Sequence, residues 1–141
     1  MNEEVTAVVH RTSIASATIG VVLSPVPLLD ELVLIPVLAA MTKRIARVHK
    51  VERVPWRPIL KSTAIGLVAR GLVNAAFIPI PGVSTAVDAA TAAALTEVIG
   101  KYVDETCREP AAARTLKVRE VMSMLKAAAK AARFKRKPAA A

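Results

Sequence analysis

Two closely spaced pairs of prolines, S-P-V-P at 24–27 and I-P-I-P-G at 78–82, constrain this chain more than any other feature. Proline lacks a backbone donor and drives the residue before it out of the helical region, so each pair ends the helix that precedes it. Long apolar segments lie on either side of both pairs. Their spacing predicts helices over 5–23, about 30–49, about 58–78, 84–106 and 111–133. Asp30 and Glu31 suit the positive end of the second helix, Ser84 or Thr85 can cap the fourth, and Pro110 fits a first helical position. Pro36, inside the second helix, is expected to kink it or to mark its first ordered turn.

The fold class expected is therefore all-α. Two antiparallel helical hairpins, four-helix-bundle-like and either soluble or membrane-inserted, turn at Pro25 and Pro27 and again at Pro79, Pro81 and Gly82, and a basic C-terminal amphipathic helix follows. The domain division expected is 1–109 for the double hairpin and 110–141 for the basic helix and tail. The hairpins read as repeats: an offset of 54 residues superposes the two P-x-P pairs and aligns Val33 with Val87, Thr42 with Thr96 and Ile45 with Ile99.

The I-P-I-P-G turn and its alanine-rich continuation, with the earlier S-P-V-P-L-L-D-E-L and M-T-K-R-I-A-R-V-H-K-V, resemble a bacterial helical domain of unknown function. That domain follows the G domain of some GTPases and also occurs in small membrane-associated proteins. The resemblance covers about residues 11–107 and implies an all-helical domain, membrane association and a GTPase partner. The chain itself has no G-x-x-x-x-G-K-[ST], so no nucleotide chemistry carries over.

Charge placement favours the membrane reading. Hydrophobic residues make up 54% of the 141 and aromatics only 3%, while the net charge is +9. Lys43, Arg44, Arg47, Lys50, Arg53, Arg57 and Lys61 fill the connector between the hairpins, Arg11 precedes the first, and Lys101 begins a basic tail. Two hairpins with cytoplasmic bases carry positive charge in this way, with Trp56 and Tyr102 near the same interface. The expected location is the bacterial cytoplasmic membrane, with the cytoplasm as the alternative. Arg70 and Asp88 interrupt the second hairpin about 13 and 9 Å from its turn, and the expectation is an ion pair across it that lowers the cost of burying each charge. In the soluble alternative, the polar residues at 13, 16, 18, 62, 63, 70, 74, 84, 85, 88, 91 and 96 form the exposed faces of amphipathic helices.

From residue 101 onward, eleven Lys and Arg face four Asp and Glu. Val118, Val121, Met122, Leu125, Ala129 and Ala132 recur at helical steps, with Arg119, Lys126, Lys130 and Arg133 on another face and F-K-R-K ending the run. A helix of this kind binds anionic lipid through Lys126, Lys130, Arg133, Lys135, Arg136 and Lys137 together with Lys43, Arg44, Arg47, Arg53, Arg57 and Lys61. Nonspecific nucleic acid, held by counterion release, is the competing partner. A homo-oligomer packed through alanine-rich faces is a further expectation.

Nothing in the sequence points to catalysis. His10 and His49 stand in no metal spacing, Ser24 has no visible base, and the single cysteine, Cys107, reads as a small residue near a helix end. The expected protein is a noncatalytic, cofactor-free, membrane-associated scaffold or interaction module. The alternative is a soluble adaptor that binds nucleic acid or a GTPase through its basic surface.

Overall fold

The computed structural model describes residues 1–23, 29–76 and 84–135. Both proline turns, Pro25 and Pro27 and then Pro79, Pro81 and Gly82, lie outside the described residues, as do the Lys135 side chain, Arg136 and Lys137. The described residues form five α-helices: α1 (Glu3–Leu23), α2 (Leu29–Val48), α3 (Trp56–Ala75), α4 (Ser84–Arg108) and α5 (Val118–Lys135), with a 3-10 turn at Pro110–Ala112.

Local chemistry sets several of these ends. Asn2 caps α1, its Oδ1 accepting the Val5 amide at 2.9 Å, with Glu3 and Glu4 in the first turn. The end of α2 is closed by paired bonds from Lys50 N to Arg47 O and from Val51 N to Ala46 O, both 3.0 Å. Lys50 adopts the left-handed conformation (φ 53°) that glycine usually supplies in this motif. Pro36 is exposed within α2, which continues across it from Leu29 to Val48.

The last helix begins later than its sequence pattern predicts. Pro110 opens a single 3-10 turn, Ala113 is extended (ψ 115°), and α5 starts only at Val118. One tertiary bond and one local ion pair hold this stretch open. The Leu116 amide donates to Ser62 Oγ at 3.1 Å, and Arg114 pairs with Glu120 at 3.3 Å.

α4 lies at the centre, in contact with α1, α2, α3 and α5. α1 runs antiparallel to it: Val9 meets Gly100, Ser16 meets Thr96, and Gly20 meets the backbone at Asp88. α3 is also antiparallel to α4, since Gly66 faces Leu95 while Asn74 bonds Asp88 and Thr91. α2 reaches Gly71 through Glu31 and Asp104 through His49, which makes it parallel to α4. One core joins all five helices, with Val5, Leu38, Ile45, Ile59, Leu95, Ile99 and Val103 buried alongside Val121, Leu125 and Ala129 of α5.

The soluble-bundle expectation for the polar positions needs correction. Ser13, Ser16, Ser62, Thr63, Arg70, Thr91 and Thr96 are buried at helix contacts. Small hydroxyl side chains can sit there because the threonines return hydrogen bonds to their own helix and the serines bond across to neighbouring segments. Thr91 donates to Val87 O at 2.8 Å and Thr96 to Ala92 O at 2.9 Å. The short side chains then let the backbones approach closely.

Candidate functional site

Two ends of this assembly differ in surface chemistry. The first end contains 12–23 of α1, 29–42 of α2, 62–76 of α3 and 84–96 of α4. Its only charged residues are Asp30, Glu31, Arg70 and Asp88. Large apolar side chains face outward instead: Val21 and Val22 on α1, Leu32 and Ile35 on α2, Val68 and Leu72 on α3, each between 45% and 67% exposed.

The opposite end is basic. Lys43, Arg44, Arg47, Arg53, Arg57 and Lys61 are all exposed there, on the last turns of α2, the connector and the first turns of α3. The third group of sequence-predicted cations, Lys126, Lys130 and Arg133, is exposed on α5. Trp56 is half-buried, whereas Tyr102 is only 5% exposed, inside the core rather than at an interface. Its hydroxyl has no hydrogen-bond partner among the described residues.

Arg70 and Asp88 come together within the apolar end. Arg70 Nη2 donates to the Asp88 carbonyl at 3.2 Å and lies 3.8 Å from Asp88 Oδ1. Asn74 Nδ2 donates to the same carboxylate at 2.5 Å, and Thr91 Oγ1 lies 2.9 Å from Asn74 Oδ1. Glu31 approaches from α2: a Cβ added at Gly71, next to Arg70, would meet Glu31 Oε1 at 3.3 Å. Arg70 is fully buried, and a carboxylate beside it offsets the large cost of removing a guanidinium from water. The network links α3 to α4 where the surrounding surface is apolar.

A second polar cluster, at the basic end, escaped the sequence reading. His49 Nε2 lies 2.7 Å from Asp104 Oδ1, and Arg108 reaches Asp104 Oδ2 at 3.1 Å. Asp104 is 2% exposed and ties the end of α2 to α4. No spacing rule predicts the pair, since 55 residues separate its members. Burial, and then the Asp104 carboxylate, push the neighbouring Cys107 thiol above its ordinary value of 9.0, so it stays protonated and is a poor nucleophile at neutral pH. Among the described residues, no group of three or more His, Cys, Asp or Glu could hold a metal ion.

Compared with known protein families, with curated proteins and with solved structures, the chain finds no match.

Proposed function

We propose that this chain is a noncatalytic, membrane-associated scaffold or interaction module, built on two helical hairpins whose apolar end enters an anionic bilayer. The observation that carries this reading is the separation of surface chemistry along α2 and α3, apolar at one end and cationic at the other. Exposed leucine, valine and isoleucine gain free energy in hydrocarbon, about 25 cal/mol for each Å² removed from water. Exposed lysine and arginine near lipid headgroups add about 1 kcal/mol each. Both terms point the same way only when the helices stand with their proline turns inward.

Magnitude decides how far they go. From Lys61 on to Ala76, the stretch without exposed charge covers 15 residues, roughly 22 Å at the rise of an α-helix. The hydrocarbon layer is about 30 Å thick. The described helices therefore enter from one face without crossing. One segment, Glu3–Val22, is long and apolar enough to span, a property that core helices of soluble proteins share. Within this reading the Arg70–Asp88 pair fixes the register of the inserted hairpin, and the exposed cations hold the base at the cytoplasmic headgroups. A GTPase partner rests on the family resemblance alone.

Flotation with vesicles tests the proposal. Parent protein is expected to float with vesicles containing phosphatidylglycerol and to stay bound through a high-salt wash. Val22→Glu with Leu72→Glu, both at exposed positions, should abolish that retention while circular dichroism stays unchanged. Release of the parent by salt alone, with no effect of the two glutamates, favours the soluble adaptor.

A further inference from the structure

The docked position of α5 conflicts with insertion of the apolar end, and this conflict identifies a second lipid-binding surface. The inference rests on the membrane reading above. The Leu116 amide bonds Ser62, six residues into α3, and α5 packs on α3 and α4. Only about 9 Å of α3 lies between Ser62 and its basic start, whereas α5 is roughly 27 Å long. Val121, Leu125 and Ala129 are each 0% exposed, which they could not be if α5 overshot the end of the molecule. α5 therefore runs toward the apolar end. Ala127 accordingly shares a cleft with Ala94 of α4.

That course carries Lys126, Lys130 and Arg133, all exposed, alongside the level of the Arg70–Asp88 network. With α5 docked, insertion to that depth would drag three cations into hydrocarbon. We propose that α5 is a masked anionic-lipid surface: on insertion it leaves α3 and α4, lays Val121, Leu125 and Ala129 into the headgroup boundary, and sets its cations against lipid phosphates. Its apolar and basic faces have the arrangement of a helix that lies in a membrane interface.

The docked contact is made by apolar packing rather than by polar bonds. A cleft of about 450 Å³ opens between α4 and α5, lined by Val98, Tyr102, Val121 and Met124. The bonds that fasten the start of α5 are few: Leu116 to Ser62, and an exposed Arg114–Glu120 pair within its own segment. Among the described residues, no side-chain hydrogen bond joins the body of α5 to α3 or α4, so separation strands no polar partner among them.

The test uses the full chain with Cys107→Ser and spin labels at two exposed positions, Leu72→Cys on α3 and Lys130→Cys on α5. The depth of the label at 72 is read from its collisions with oxygen and with a water-soluble nickel chelate, and the 72–130 distance from dipolar spectroscopy. The vesicles contain phosphatidylglycerol. The expected result is a buried label at 72 together with a 72–130 distance lengthened by more than about 10 Å, because α5 withdraws to the surface. A buried label at 72 with an unchanged distance overturns the release of α5 and leaves the membrane reading standing. A label at 72 that stays in water overturns both. Vesicles of phosphatidylcholine alone should give a smaller change, since the cations then lack an anionic target.

Discussion

At the residue scale, close approach decides more than propensity does. A Cβ at Gly20 would lie 2.9 Å from the Asp88 carbonyl oxygen and 3.1 Å from the Ala89 amide, so α1 and α4 touch there backbone to backbone. Alanine is the better helix former by about 1 kcal/mol. The clash meets rigid backbone and outweighs that gain, so Gly20→Ala is expected to destabilise the fold by about 1–3 kcal/mol in denaturant unfolding. Cys107 gives a prediction in pH. Its raised value in the folded state means that the unfolded chain loses the thiol proton first as pH rises through about 9. The stability tied to the protonated thiol is present below that pH and lost above it. The decline in unfolding midpoint between pH 8.5 and 10.5 should accordingly be smaller in Cys107→Ala than in the parent. The sequence brought Arg70 and Asp88 to notice because charges interrupt an apolar run within one predicted hairpin. His49 and Asp104 were invisible by the same logic: they lie on helices that only the tertiary fold makes neighbours.

At the scale of elements, the helices were legible to within a few residues because proline and apolar runs act locally. The start of α5 was not. Its pattern of small and basic residues favours helix from 111, yet the Ser62 bond to Leu116 and the extended Ala113 keep 113–117 out of it. The polar faces failed for a related reason. Serine and threonine read as solvent-facing in a sequence, but here they fill helix crossings, the threonines bonding back to their own turns and the serines across to neighbouring segments. α5 itself is held by its apolar stripe. Leu125→Ala removes a side chain with no exposed surface and is expected to cost about 2–5 kcal/mol, whereas Lys126→Ala, exposed on the next position, should change stability by less than about 0.5 kcal/mol. Thermal unfolding of the two variants separates packing from charge.

For the whole molecule, the meaningful pattern is the separation of apolar and basic surface along α2 and α3, with α1 adding to the apolar side, and it was only half visible beforehand. The cations at 43–61 cluster in the sequence, but the opposing apolar end is assembled from α1, α2 and α3 and needs the fold to become one surface. The most direct measurement is the depth of two labelled positions in one vesicle preparation. With Cys107→Ser in the background, a fluorophore is placed at Leu72→Cys on the apolar end or at Arg53→Cys on the basic connector, and quenching is followed with lipids brominated at different depths. The account predicts strong quenching at 72 by deeply brominated chains and little at 53. Equal and weak quenching at both positions, with the protein nonetheless bound to the vesicles, would contradict it.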